Sequence, residues 1–153
     1  MTPKTSLRLQ RRYRAAKETV FAAWTQGDAL KRWFAPNDAT AVPLAELDLR
    51  VGGRYRIELL GGDGVTRCVS GVYKVIDPCE RLVFTWTWDF APELETLVSI
   101  ELASVDGETL LTLTQTQFID AALRDLHETR WSGSLDRLER ALSEAASLQT
   151  EGV

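Results

Sequence analysis

The sequence predicts an α+β domain: a curved antiparallel sheet of about six to seven strands wrapped around one long C-terminal helix, with two short helices after the first strand. Three observations predict it. A period-two strand pattern opens the chain, turn signals recur at short intervals from Thr40 to Gln117, and a sustained three-to-four-residue apolar period closes it. At 153 residues the chain has the length of one domain, and 1–153 is read as one. Its hydrophobic share of 44% and charged share of 26% suit a globular protein that buries a core without metals or disulfides.

Each element follows in order. SLRLQRRYR, 6–14, sets Leu7, Leu9 and Tyr13 against Arg8, Gln10, Arg12 and Arg14, the alternation of a half-buried strand. KETVFAAW, 17–24, puts Val20, Phe21 and Trp24 on one helical face, and GDALKRWF, 27–34, does the same with Leu30, Trp33 and Phe34. Gly27 separates the two, Asp28 is expected to cap the second, and Pro36 follows its end. Turns are expected at Gly52-Gly53, Gly61–Gly64, Asp77-Pro78 and Asp106-Gly107, which implies an antiparallel meander. Tyr55, Ile57 and Leu59 face the core, as do Tyr73 and Val75, then Val98, Ile100 and Leu102. In TLLTLTQTQ the parity of Leu111 and Leu113 carries Gln115 and Gln117 inward.

Residues 121–146 repeat Leu123, His127, Trp131, Leu135, Leu138, Leu142 and Ala145 at helical spacing, an amphipathic helix with one apolar face. The polar tail, 147–153, is expected to fray. A twisted sheet with one long helix lays that helix across its apolar face and curls around it.

Composition also narrows function. A net charge of -4 does not suit a phosphate-gripping surface, and the Arg8, Arg11, Arg12, Arg14 cluster reads as the charged side of an edge strand; no nucleic acid is expected. No apolar run reaches the ~20 residues a membrane helix needs. Met1–Gln10 lacks the apolar stretch of a signal peptide, so a cytoplasmic location is expected. In a hairpin turning at Asp77-Pro78, Cys79 sits at the turn and Cys68 roughly nine residues down the other arm, so both thiols are expected free. One His and two distant Cys supply no metal set, and no cofactor is expected.

RLVFTWTWDF, 81–90, is the most distinctive stretch: Phe84, Trp86, Trp88 and Phe90 recur at every second position. Leu82 and Phe84 read as core. Trp86 and Trp88 also carry an indole N–H that needs an acceptor, which makes them candidates for the wall and rim of a cavity. His127, the only histidine, lies one turn from Trp131 on the apolar face of the last helix; it reads as a core histidine, a polar anchor or an acid–base group. Gln115 would need a partner among leucines: a guest, water or the open end of the sheet. Gly133 inside the helix implies a close approach or a thin helix face. Asp48, Arg50, Gly52 and Gly53 read as a structural turn. There is no G-x-S-x-G, P-loop or dinucleotide fingerprint, and whether any reaction is catalysed stays open.

The wording VFAAWTQGDALKRWFAP (20–36), DLRVGGRYRIEL (48–59), GVYKVIDPCERLVFTWTW (71–88), GETLLTLTQTQF (107–118) and HETRWSGSLDRL (127–138) resembles the START-like, or SRPBCC, helix-grip superfamily. Within it the chain is similar to the branch related to the C-terminal domain of the activators of the heat-shock chaperone ATPase. It departs from the branch's common wording where Arg130 precedes Trp131, at Gln115 and at Cys79. The resemblance implies a helix-grip fold with a cavity between long helix and sheet, lined by Trp33, Tyr55, Tyr73, Trp86, Trp88, Gln115, His127 and Trp131. It implies a small hydrophobic or aromatic ligand as partner; the alternatives are a cyclase, dehydratase or hydrolase using His127 as acid or base, and a chaperone-interacting module. The chaperone activators carry a further N-terminal domain for which this length leaves no room, so chaperone activation itself is not expected. A homodimer is left open.

Overall fold

The computed structural model describes residues 5–151, with side chains through residue 144. In chain order the elements are β1 (Thr5–Tyr13), α1 (Lys17–Thr25), α2 (Gly27–Trp33), β2 (Ala41–Leu47), β3 (Arg54–Leu60), β4 (Thr66–Asp77), β5 (Arg81–Trp88), β6 (Thr96–Val105), β7 (Glu108–Phe118) and α3 (Ala121–Glu151). All neighbouring strands are antiparallel, in the order β1-β7-β6-β5-β4-β3-β2. The sheet is therefore a six-stranded meander with β1 laid beside its last strand. This is the helix-grip arrangement: α3 crosses the apolar face, and α1 and α2 close one side. The tail expected to fray, 147–153, falls on residues whose side chains lie outside the described set, and residues 152 and 153 lie outside it altogether.

Alternation decides which face each strand buries. Tyr55, Ile57 and Leu59 of β3 are buried while Arg54 and Arg56 are exposed. β5 differs because it is the middle strand of seven: Leu82 through Trp86 are all buried, on both faces. β1 is an edge, and two of its arginines are met by acids, Arg12 by Glu108 at 2.5 Å and by Asp106, and Arg11 by Asp136 on α3. That pairing fits a solvated strand edge, where exposed ion pairs are weak and serve mostly to keep other strands away.

Two inward expectations are overturned. A register shift in β4 between Tyr73 and Val75 sets Val75 opposite Val83 on the outer face and turns Ile76 inward, opposite Leu82. The other lies in β7. Gln115 is fully buried, but Gln117 is exposed. Leu7 pairs with Gln115 and Thr5 with Phe118, so two residues of β7 oppose one of β1. The extra residue is a β-bulge, with Gln117 at φ 74. It shifts the parity by one and turns Phe118 into the core, where it is fully buried. Asp28 is likewise no cap: α2 begins at Gly27, with Gln26 in the capping position, and Asp28 lies in the first turn, where its charge still favours the helix dipole.

α3 buries His127, Trp131, Ser134, Leu135 and Leu138. It is pinned at both sides. The Tyr13 hydroxyl donates to the Leu135 carbonyl at 2.9 Å, and the Ser134 hydroxyl donates to the Phe34 carbonyl at 2.7 Å. Gly133 lies against the segment after α2: a Cβ there would stand 2.2 Å from the Pro36 carbonyl oxygen. The helical glycine is therefore explained by close approach of backbone to backbone, at Pro36. Arg137 then reaches over the same segment to the carbonyls of Ala35 and Asn37.

Candidate functional site

Five of the residues expected to line a cavity meet at one end of the interior. The alternation of β5 delivers Trp86 and Trp88 to the same face, and helical spacing delivers His127 and Trp131 opposite them. Trp86 lies 5.1 Å from Trp131 and 5.4 Å from Trp88, ring centre to ring centre, and meets Trp88 edge to face. Gln115 joins from β7. Its amide oxygen accepts the Trp131 indole N–H at 2.7 Å and its amide nitrogen donates to the Thr96 hydroxyl at 2.8 Å. The buried amide is thus held by protein groups on both sides, which removes the cost of burying it.

His127 is held on both sides as well. The Trp88 indole N–H lies 3.0 Å from Nε2, and the Leu123 carbonyl oxygen lies 2.9 Å from Nδ1. An indole N–H can only donate and a carbonyl can only accept, so the proton sits on Nδ1 and the lone pair on Nε2. Burial pushes the imidazole pKa below its ordinary value; the Leu123 carbonyl works the other way, and the Arg130 charge lowers it further. The ring is neutral and both nitrogens are in use.

Around this cluster the surface is hollowed in three places. An outer hollow of about 230 Å³ is walled by Trp86, Trp88, Phe90, Leu94, Leu126 and Arg130, among others. Phe90 stacks on Trp88 and is 62% exposed, and Leu126 is 46% exposed, so the rim itself is apolar. An inner hollow of about 40 Å³ runs among Trp86, Trp88, His127 and Trp131. A third, of about 230 Å³, lies between Arg130, Trp88, Leu59 and Arg67. Trp88 and Arg130 belong to all three. Trp86 walls the first two, and its indole N–H is buried without a partner. A buried donor left unmet costs about 1–3 kcal/mol, and the Trp24 indole carries the same cost elsewhere in the core.

The other three expected residues lie elsewhere. Trp33 is buried against Trp24 at 4.6 Å and donates its N–H to the Ala23 carbonyl at 3.0 Å. Tyr55 and Tyr73 line a gap of about 20 Å³ under α1 and α2. A gap of that size holds about one water. Tyr55 also donates to the Thr85 carbonyl across β4, over Gly71, where a Cβ would stand 1.9 Å from that same oxygen. Between long helix and sheet, then, side chains fill most of the space, and the room lies at the end where α3 begins.

Sequence reading named Trp88 for the rim and missed the side chains around it. Leu94 is in the loop between β5 and β6, where no periodicity applies, and Phe90 was read as the end of a strand stripe. Arg130 had a signal: it lies three residues after His127 and beside Trp131, a charge at the margin of the apolar face. Among the described residues no group of three or more His, Cys, Asp or Glu is placed to hold a metal ion, and no helix is long and apolar enough to cross a membrane. Cys68 and Cys79 are both free thiols.

Residues 14–143 match the family described as Activator of Hsp90 ATPase homolog 1-like protein. Among solved structures, a protein of Chromobacterium violaceum is similar at 28% identity and TM-score 0.80, covering 89% of this chain and 96% of its own. The AHSA1 protein of Silicibacter pomeroyi is similar at 28% identity and TM-score 0.81, covering 92% of this chain and 99% of its own. An AHSA1-like protein of Aeromonas hydrophila shares the fold at 23% identity and TM-score 0.73, covering 92% and 94%. The comparison with curated proteins finds no significant match.

Proposed function

Because the chain belongs to the Activator of Hsp90 ATPase homolog 1-like family, a helix-grip fold that leaves room beside its long helix, we propose that it binds a small apolar or aromatic molecule in the outer hollow. The observation that carries the reading is the hollow itself: about 230 Å³, with aromatic walls at Trp86, Trp88 and Phe90 and aliphatic ones at Leu94, Leu123 and Leu126. A dry cavity of ~150 Å³ lined by such groups accepts benzene, so this one suits a single ring with a short substituent. A mostly apolar wall with few polar groups is the usual character of a ligand site.

Catalysis by His127 as acid or base is less well supported. Its Nε2 accepts from Trp88 and its Nδ1 donates to Leu123, so neither nitrogen is left for a substrate.

Calorimetric titration with p-cresol tests the site. The wild-type protein binds the probe, and Ala91→Trp, which fills the hollow from its loop wall, does not. Equal binding by both proteins, or no binding by the wild type, counts against the outer hollow as a ligand site. Native mass spectrometry of the protein as purified, against its denatured mass, identifies any resident guest.

A further inference from the structure

Among the described residues Arg130 meets no counter-charge. α3 carries four arginines, and the other three are engaged: Arg124 with Asp125 at 2.9 Å, Arg137 with the carbonyls after α2, and Arg140 with Asp38 at 3.2 Å. Among the described residues Arg130 enters no ion pair and no hydrogen bond, although it is half-buried. Its charge is opposed by burial and by Arg67 across the third hollow, and both act to lower its pKa. Arg67 itself is only partly balanced, by Asp63 at 3.5 Å.

A guanidinium that is partly withdrawn from water, beside a second arginine and with no acid in contact, is a costly arrangement for an empty protein. It becomes favourable when an anion arrives, because a guanidinium pairs a carboxylate through two parallel N–H bonds. The same arginine walls the apolar hollow, next to Trp88 and His127. One molecule can therefore touch both features: its ring against Phe90, Leu123 and Leu126, and its acid group on Arg130.

From this juxtaposition we infer that the guest is an aromatic or alicyclic carboxylate, its ring in the outer hollow and its anion paired with Arg130, while Arg67 adds positive potential from the far side. This rests on the reading of the outer hollow as a ligand site. It narrows the ligand from apolar molecules in general to amphipathic anions.

Calorimetric titration with cinnamate and with cinnamamide, alike in shape and different in charge, tests it. The wild type binds cinnamate about tenfold or more tighter than the amide, the value of one good charged hydrogen bond. Arg130→Gln loses that preference; Arg130→Lys recovers part of it. Arg67→Gln weakens cinnamate binding about twofold, an effect that fades as salt rises, because a charge not in contact is screened. Equal binding of acid and amide by the wild type overturns the anion assignment and leaves the apolar site standing. A preference that survives Arg130→Gln also overturns it. Binding of neither probe, nor of p-cresol, removes the site and the anion together.

Discussion

The indole N–H of Trp88 points at Nε2 of His127 from 3.0 Å, and this contact fixes the state of the only histidine in the chain. The donor cannot turn into an acceptor. Adding a proton to Nε2 would set one N–H against another inside a buried aromatic cluster, with the Arg130 charge nearby. The pair thus joins the end of β5 to the start of α3 only while the imidazole is neutral.

Stability should follow that proton. Burial lowers the His127 pKa in the folded protein, while the unfolded chain titrates at the ordinary value of about 6.5. Below that pH the unfolded state binds a proton that the folded state refuses. The stabilisation is complete above about pH 6.5 and is lost as pH falls toward the lowered folded value, by at most about 1.4 kcal/mol per pH unit. Urea midpoints measured between about pH 7 and pH 5 should fall in the wild type and stay flatter in His127→Gln, few carboxylates titrating in that window. Parallel curves for the two proteins would show that His127 is not the group responsible.

Gly133 should reverse an ordinary rule. In a helix interior, glycine to alanine gains about 1 kcal/mol. Here the added methyl would meet the Pro36 carbonyl oxygen at 2.2 Å, and that oxygen belongs to backbone that Ser134 and Arg137 tie to α3 on either side. Gly133→Ala should therefore destabilise, by about 1–3 kcal/mol for an overpacked contact. Thermal unfolding settles the sign, and a gain in Tm would mean that the segment after α2 yields freely.

The bonds of Gln115 should cost more to lose than its burial saves. Gln115→Leu keeps the shape of the side chain roughly but leaves the Trp131 N–H without an acceptor in a buried cluster, a loss of about 1–3 kcal/mol. Trp131→Phe removes the same donor together with its need. The double variant should then be less destabilised than the sum of the single ones, since removing both partners removes the orphan. Chemical denaturation of the four proteins in a cycle reads the coupling directly; strict additivity would show that the two side chains act independently.

Periodicity made most of the fold legible. Strand parity located Tyr55, Ile57, Leu82 and Phe84, helical spacing located His127, Trp131 and Leu135, and the turn residues gave the meander. Parity tells in from out, but it does not say which end of an interior a residue reaches. Trp33, Tyr55 and Tyr73 were all read inward, and all are buried, yet Trp33 packs on Trp24 and the two tyrosines lie under α1 and α2, none of them beside Trp86. The partner of Gly133 was out of reach for a similar reason: the need for a missing side chain is local, while Pro36 is brought there by the tertiary fold. The hollow was legible only in its strand and helix walls, since the loop that supplies Leu94 has no period to read.

Gln117 shows what an inserted residue does to such a reading, and it carries the last prediction. Its φ of 74 lies in the left-handed region, which costs a residue with a side chain about 1–2 kcal/mol and glycine almost nothing. Gln117→Gly should raise stability by about 0.5–1 kcal/mol, part of the relief being offset by the freer unfolded chain. Gln117→Val should lower it, since a branched side chain tolerates that φ worst. Equal urea midpoints for the two variants would mean that the bulge is absent in solution. Deleting residue 117 would restore unbroken alternation from Leu113 onward and leave Phe118 facing inward, opposite Thr5 and against the His127 ring that it faces at 5.1 Å. Removing the ring itself asks more. Phe118→Ala should cost about 3–5 kcal/mol, as truncation of a buried phenylalanine does. It should also loosen the Trp88–His127 contact, so the pH dependence of stability expected of the wild type should shrink with it. A Phe118→Ala variant that keeps the wild-type pH profile would show that Phe118 does not support the histidine.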